Sequence, residues 1–101
     1  KFMNSKVAQK EKTSRQLERH LKGIANHWRI EILNLLAKNG GMSLEGIAIS
    51  LSGNIKTLSD HTKRLVQAGL LNKNYKGRVV IHTLSPYGHK LHKFITTFRH
   101  S

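Results

Sequence analysis

The sequence contains no cysteine, one proline and only five acidic residues among its 101 positions. Without cysteine the chain can form no disulfide, no thiolate metal site and no cysteine nucleophile, which fits a reducing cytosol better than a secreted scaffold. No apolar stretch approaches the roughly 20 residues that a membrane helix needs, and the polar segment from Lys1 to Lys12 does not resemble a signal sequence. We therefore expect a cytoplasmic protein with no membrane partner.

The scarcity of acids leaves 18 lysines and arginines largely unbalanced, with a formal net charge of +13. A charge of this size attracts polyanions, and nucleic acid is the commonest polyanion inside cells. The excess is spread along the chain, because every segment is positive except residues 43–53, whose one charge is Glu45. The composition thus favours a nucleic-acid partner, and a merely solvated basic surface is the alternative.

Five helices are predicted from the helical spacing of apolar residues, as in Leu17, Leu21 and Ile24. Each helix after the first follows a residue whose side chain can cap it, and most end at glycine or asparagine. The predicted helices cover residues 5–25, from Asn26 to Asn39, from Ser43 to Ser52, from Asn54 to Ala68, and residues 86–100.

Between the fourth and fifth helices the apolar pattern changes from helical to strand-like. Two strands are predicted, from Leu70 to Asn74 and from Val79 to Leu84. The connection between them, Tyr75-Lys76-Gly77-Arg78, supplies a glycine for a tight turn. The expected fold is mainly α with a small β-hairpin, as one domain over residues 1–101. Residues 1–5 are expected to be disordered.

The third and fourth helices and the hairpin together predict a winged helix-turn-helix. A short helix, a turn containing Gly53 and a helix rich in hydrogen-bond donors form the arrangement in which the second helix enters the DNA major groove. A basic hairpin directly after that helix is a wing. This assigns the helix-turn-helix to residues 43–68 and the wing to residues 70–84.

Several blocks of the sequence are similar to those of a known family. They are residues 25–33, Leu51 followed by residues 56–65, Ala68-Gly69-Leu70-Leu71, the hairpin residues 76–80 and the exit 84–88. The chain resembles the ArsR-type winged-helix repressors over about residues 17–98, with the related MarR group as a second match. The usual Asp-Pro at the start of the second helix is Asn26-His27 here.

The resemblance implies DNA contacts from the fourth helix and the wing. The implied residues are Asn54, Lys56, Thr57, Ser59, Asp60, His61, Lys63, Arg64, Lys76 and Arg78. Asp60 departs from a purely basic surface, and it can either accept a hydrogen bond from a cytosine amine or orient Lys63 or Arg64. We favour the second interpretation.

In that family the first and last helices pair two protomers, and the apolar seam of the last helix supports the same arrangement here. The implied dimerisation residues are Leu17, Leu21, Leu91, Phe94, Ile95 and Phe98, and simple core packing is the alternative. A homodimer would place two reading helices in successive major grooves of double-stranded DNA.

Seven histidines raise the hypothesis of a metal site. His89 and His100 have the separation found in the last-helix site of the family, but Tyr87 stands where an aspartate is expected. His89 and His92 lie one helical turn apart without an accompanying carboxylate. We predict no metal and no cofactor.

Catalysis is also not expected. The five acids are scattered over the predicted helices, whereas acid–base chemistry on carboxylates needs a pair. Ser59, Asp60 and His61 are consecutive on a helix, so their side chains diverge and cannot form a hydrolytic triad. The predicted function is a sequence-specific, dimeric DNA-binding transcriptional regulator that represses by occluding a promoter. A sequence-indifferent DNA-coating protein and a winged-helix protein-interaction module are the alternatives.

Overall fold

Five α-helices and one β-hairpin make up the part of the chain that the computed structural model describes, residues 11–101. The elements are α1 (Ser14–Ile24), α2 (His27–Lys38), α3 (Leu44–Leu51), α4 (Ile55–Gln67), β1 (Leu71–Lys76), β2 (Val79–Leu84) and α5 (Pro86–Arg99). The predicted order and the mainly helical class are confirmed. The disorder expected for residues 1–5 lies outside the described residues. Within residues 11–101, no helix has the length and apolar character needed to cross a membrane.

The helix starts follow from side-chain caps. Asn26, Ser43, Asn54 and Ser85 each accept a hydrogen bond from a backbone N–H in the first turn of α2, α3, α4 and α5, as predicted.

The first helix is shorter than the predicted span of residues 5–25. The side chain of Thr13 accepts from the backbone N–H of Gln16, and the side chain of Gln16 accepts in return from that of Thr13. This capping box satisfies two otherwise orphaned donors and fixes the start of α1 at Ser14. Residues 5–10 of the predicted helix lie outside the described part of the chain.

The turn between α3 and α4 depends on two different residues. The backbone adopts the left-handed conformation at Ser52, with φ of 53°, and not at Gly53. A Cβ at Gly53 would lie 2.3 Å from Cδ2 of Leu58. Gly53 is therefore required because α4 approaches closely, and the reversal of the chain occurs one residue earlier.

The core lies where α2, α3 and α4 meet the base of the hairpin. Its fully buried side chains are Ile32, Leu33, Ile47, Leu58, Leu65 and Leu70. Leu58, Thr62 and Leu65 form the buried face of α4. Ile55, in the first turn of that helix, is 45% exposed.

The hairpin pairs β1 with β2 from Leu71 opposite Leu84 to Lys76 opposite Val79. The connection is a two-residue turn of Gly77 and Arg78, shorter than the predicted four residues. Gly77 has φ of 63°, a conformation that glycine adopts without strain at the first position of a tight hairpin turn.

The hairpin is also tied to the segment between α2 and α3. Met42 and His82 exchange two backbone hydrogen bonds, of 3.1 and 2.8 Å, as an isolated antiparallel bridge. The wing is therefore attached to the helical core midway along β2, and only its outer part projects from the molecule.

Candidate nucleic-acid interface

One face of α4 is charged and exposed while the opposite face is buried. Lys56, Asp60 and Lys63 are separated by four and three residues, so their side chains lie on the same side of the helix, and all three are exposed. Leu58 and Leu65 on the other side are fully buried. The apolar side thus fixes the helix and directs two lysines and one aspartate to solvent.

The predicted contact residues at the start of α4 have unequal roles. The side-chain oxygen of Asn54 accepts from the backbone N–H of Lys56, at 2.9 Å, and of Thr57, at 3.3 Å. This oxygen is committed to the cap, so only the amide NH₂ of Asn54 is free to donate to DNA. Thr57 and Ser59 are half-buried and flank the exposed face.

His61 lies on α4, as the resemblance implies, and is half-buried. It is turned toward α2, where Nε of Arg29 donates to Nδ1 of His61 at 3.1 Å. Burial, followed by the positive charge of Arg29, lowers the pKa of His61 below its ordinary value. His61 is therefore a neutral acceptor that helps to position α4.

Arg29 supports the position of α4, and the sequence alone gave no indication of this role. Besides its bond to His61, it donates from one terminal nitrogen to the carbonyl oxygens of Lys22 and Gly23, each at 3.2 Å. Burial and the nearby charge of Arg64 lower the pKa of Arg29. One guanidinium thus connects α1, α2 and α4. The contact joins residues 32 positions apart, and nothing in the local spacing indicates it.

Asp60 has no ion pair closer than 4.0 Å with Lys63 or Arg64 in the part of the chain that the structure describes, and its role in orienting either of them stays a prediction. Within residues 11–101 the one ion pair closer than 4.0 Å joins Lys22 to Glu18, at 3.1 Å. Asp60 is exposed on α4 without such a partner in the same range. Direct acceptance from a base remains a prediction for this residue.

The two predicted wing cations lie on opposite faces of the hairpin. Arg78 lines a cleft of about 370 Å³ between the hairpin and α4, together with Lys73 and, across the cleft, Ser59 and Lys63. Lys76 lies on the other face, in a groove beside Gly40 and Gly41. Lys73 was missed by the sequence analysis, although strand alternation places it on the face of its partner His82.

This side of the molecule therefore carries many cations around a single exposed helix. The exposed basic side chains are Lys56, Lys63, Arg64, Lys73 and Arg78, whereas the exposed Lys76 lies on the other face of the hairpin. Cationic side chains at such positions hold backbone phosphates and set the register of a helix against a duplex. The shorter Thr57 and Ser59 lie next to them, where hydroxyl groups can reach base edges.

A second surface, formed by α1 and α5, is apolar. Leu17 and Leu21 on α1 are 48% and 52% exposed, and Phe94 and Phe98 on α5 are 57% and 70% exposed. The two phenylalanine rings stack with centroids 5.9 Å apart. Exposed apolar residues in a contiguous group mark an interaction surface.

Two of the predicted dimerisation residues are partly core residues. Leu91 and Ile95 are half-buried and pack against the core. Leu91 nevertheless also lines the groove of about 190 Å³ between α1 and α5, beside Leu17 and Phe94.

The histidines of α5 do not form a cluster. Nε2 of His92 lies 3.5 Å from the hydroxyl of Thr96. In the part of the chain that the structure describes, no three His, Asp or Glu side chains are close enough to share a metal ion. The absence of a metal site stays a prediction.

Comparison with known proteins finds a family match over part of the chain. Residues 27–72 match the family described as winged helix-turn-helix DNA-binding, which includes all of α2, α3 and α4. No curated protein matches the sequence.

Solved structures show the same architecture over nearly the whole chain. HlyU from Vibrio cholerae N16961 is 27% identical, with a TM-score of 0.78, and the match covers 91% of this chain and 100% of HlyU. The homodimeric winged helix-turn-helix DNA-binding domain (fragment 1–100) of Mb0332 from Mycobacterium bovis, a possible ArsR-family transcriptional regulator, is 24% identical. Its TM-score is 0.77, and the match covers 92% of this chain and 89% of that fragment.

A third similar structure is that of the transcriptional repressor PagR of Bacillus anthracis. It is 22% identical with a TM-score of 0.74, and the match covers 81% of this chain and 94% of PagR. At this identity the likeness concerns the fold. The match over residues 27–72, the charged face of α4 and the basic hairpin beside it agree with a winged helix-turn-helix DNA-binding domain. The architecture of the chain is similar to that of HlyU and of the possible ArsR-family regulator Mb0332.

Proposed function

We propose that this protein is a cytoplasmic, homodimeric repressor that recognises a specific sequence in double-stranded DNA and occludes a promoter. It has no catalytic activity and requires no cofactor. The observation that carries the proposal is the exposed face of α4, with Lys56, Asp60 and Lys63 in one row beside the cationic hairpin. A protein-interaction module would not need cations on this helix.

Holding DNA and reading its sequence are assigned to different side chains. Arg78 and Lys76 extend from the hairpin and contact phosphates, which carry no direct sequence information. Thr57 and Ser59 lie in the first turns of α4, the part of a helix-turn-helix that meets base edges. The two groups of residues therefore have different effects on specific and unrelated DNA.

The experiment is fluorescence anisotropy with a preferred duplex, selected from a random pool, and an unrelated duplex at several salt concentrations. Replacing Lys76 and Arg78 by Ala should weaken binding to both duplexes. It should also flatten the plot of log affinity against log salt by about 0.9 for each phosphate that the variant no longer neutralises. Replacing Thr57 or Ser59 by Ala should cost about 1–3 kcal/mol on the preferred duplex only.

The matched control is Lys38→Ala, at the exposed end of α2 and outside the α4 and hairpin surface. It should leave both affinities and the salt dependence nearly unchanged. If the Thr57 and Ser59 variants lose equal affinity for both duplexes, α4 does not read sequence. The protein would then be a sequence-indifferent DNA-coating protein.

Dimerisation is supported by the exposed apolar residues of α1 and α5 and by the homodimeric state of the similar Mb0332 domain. Leu17, Leu21, Phe94 and Phe98 would be covered by their counterparts in a two-fold pair. Replacing Phe94 and Phe98 by Glu should give a folded monomer with weakened DNA affinity.

The test of dimerisation is sedimentation velocity, with circular dichroism to confirm folding. The control Thr96→Glu adds one charge at an exposed position on the side of α5 away from Phe94 and Phe98, and it should leave the dimer intact. A wild-type protein that is already monomeric at tens of micromolar would refute the dimer.

A further inference from the structure

The connection between α2 and α3 contains the one asparagine in the sequence that is directly followed by glycine, the pair Asn39-Gly40. Both residues and the following Gly41 are exposed to solvent. The side-chain amide of an asparagine reacts with the backbone nitrogen of the next residue when the two groups meet. A side chain on that next residue hinders the approach, and glycine has none. The sequence therefore hinders this reaction least at Asn39.

The structure leaves both reacting groups accessible. A Cβ at Gly40 would meet no atom within 4 Å. Within residues 11–101 the backbone N–H of Gly40 forms no hydrogen bond, so solvent base can remove its proton. The backbone of Asn39 is extended, with φ of −115° and ψ of 120°, and rotation about ψ brings the nitrogen of Gly40 toward Cγ of Asn39. Two exposed glycines follow this bond and permit the rotation.

One exposed hydrogen bond restrains the side chain of Asn39. Its Nδ2 donates to the carbonyl oxygen of Leu35 at 3.0 Å. A neutral bond that water can replace adds little stability, so the amide leaves this position readily. Asn74 is also exposed and makes one such bond, to the hydroxyl of Thr83, but the bulky Tyr75 follows it. Asn74 is therefore an internal control for the effect of the following glycine.

We propose that Asn39 is a site of spontaneous deamidation. The backbone nitrogen of Gly40 loses its proton to solvent base and bonds to Cγ of Asn39, and the Cγ–Nδ2 bond breaks with release of ammonia. One water molecule then opens the resulting cyclic imide. Attack at Cγ gives aspartate, and attack at the main-chain carbonyl carbon gives isoaspartate. The reaction consumes one water and releases one ammonia, with no oxidation or reduction.

Both products change the contact between this connection and the hairpin. Each replaces a donor by a carboxylate near the carbonyl oxygen of Leu35, at the negative end of α2, where a cation is favoured. Isoaspartate also lengthens the main chain by one carbon just before Gly41 and Met42. A Cβ at Gly41 would lie 2.8 Å from Cγ2 of Ile81, and Met42 holds His82 by two backbone bonds. The modified chain therefore holds the hairpin less firmly and binds DNA more weakly.

This weaker binding rests on the proposed DNA-binding function, whereas the modification itself does not. The first arm of the test therefore follows the modification without DNA. The folded protein is incubated in mildly alkaline buffer and digested, and mass spectrometry follows the replacement of an amide NH₂ by a hydroxyl group. The peptide that contains Asn39 should convert to two products that separate by chromatography, while the amide of Asn74 should remain largely intact.

Two variants test the role of the following glycine. Gly40→Ala should slow the conversion at least tenfold, and its added Cβ meets no atom within 4 Å. The matched control Lys38→Ala changes the exposed residue before Asn39 and should leave the rate nearly unchanged. Equal rates at Asn39 and Asn74, or an equal rate in the wild type and Gly40→Ala, would refute the site.

The second arm measures the effect on DNA binding by fluorescence anisotropy with the preferred duplex. Ion exchange separates the modified protein, which carries one more negative charge. Its affinity should be at least threefold lower than that of the unmodified protein, and Gly40→Ala incubated in the same way should keep its affinity. Equal affinities of the modified and unmodified proteins would refute the effect on the hairpin. DNA binding with no conversion at Asn39 would refute the further inference alone, and conversion in a protein that does not bind DNA would refute the proposed function alone.

Discussion

Replacing Arg29 by glutamine should destabilise the protein far more than its surface location suggests. Its guanidinium makes three hydrogen bonds, to Nδ1 of His61 and to the carbonyl oxygens of Lys22 and Gly23. A glutamine amide is too short to make them together. Because α1 and α4 are joined through this group, its loss should loosen the support of α4.

The size of the effect follows from the environment of the three bonds. A hydrogen bond from a charged donor is worth about 1.5–3 kcal/mol, and less where water replaces the donor. The bond to Lys22 is exposed, and those to His61 and Gly23 are half-buried. We expect a loss of about 2 kcal/mol in the free energy of unfolding, or a Tm lower by about 8–16 °C for a domain of this size.

This effect is measured by urea denaturation of three variants: Arg29→Gln, Arg29→Lys and the control Arg15→Gln. Arg15 is exposed on α1, so its replacement should change the free energy of unfolding by less than about 0.5 kcal/mol. Lysine keeps the charge but not the fork, and it should recover no more than about half of the loss. A loss for Arg29→Gln no larger than for Arg15→Gln would refute the connection between α1 and α4.

Three further predictions concern pH, packing and metal. Burial lowers the pKa of His82, and burial with the charge of Arg29 lowers that of His61. As the pH falls, these histidines therefore take up protons in the unfolded chain at a higher pH than in the folded chain. The free energy of unfolding should be at its maximum above about pH 6.5 and should decrease below it. In urea denaturation, His82→Leu should make the free energy of unfolding depend less on pH. An unchanged dependence on pH would contradict the role of His82. A Cβ at Gly88 would lie 2.1 Å from the carbonyl oxygen of Leu70, whereas one at Gly40 meets no atom within 4 Å. Gly88→Ala should thus cost about 1–3 kcal/mol or more in thermal unfolding, and equal melting of Gly88→Ala and Gly40→Ala would refute this. A chelator should change DNA affinity by less than about twofold, as expected without a metal site, and a tenfold response abolished by His89→Ala would show that a histidine site exists.

Local sequence signals predicted the elements well because their causes are local. The caps Asn26, Ser43, Asn54 and Ser85 act within one helical turn, and each helix starts where its cap predicts. The start of α1 was wrong although its signal was also local. Thr13 and Gln16 form a capping box, and the apolar spacing that extended the helix further carries no information about caps.

The site was predicted less completely because its details depend on contacts between distant elements. His61 lies on the predicted helix, but Arg29, on α2, turns it away from the exposed face. Lys73 and Lys76 lie three positions apart on one strand, so alternation alone places them on opposite faces. Only the packing of the hairpin against α4 decides which of the two faces lines the cleft. The spacing of apolar residues predicts which face of a helix is buried. It does not show which neighbouring element contacts the side chains outside that face.

Contacts within the fold hold the hairpin and α4 on the proposed DNA-facing side, and these contacts have a consequence for specificity. The bridge between Met42 and His82 fixes the hairpin, while Arg29, the cap Asn54 and the buried Leu58 fix α4. The separation between the cations of the hairpin and the hydroxyls of α4 is therefore set by the fold. Binding then costs little ordering of the backbone, and a duplex whose phosphates and bases do not match that separation is bound more weakly. On the proposed function, discrimination in each protomer would arise from this geometry, and pairing through α1 and α5 would impose a second distance between two such surfaces.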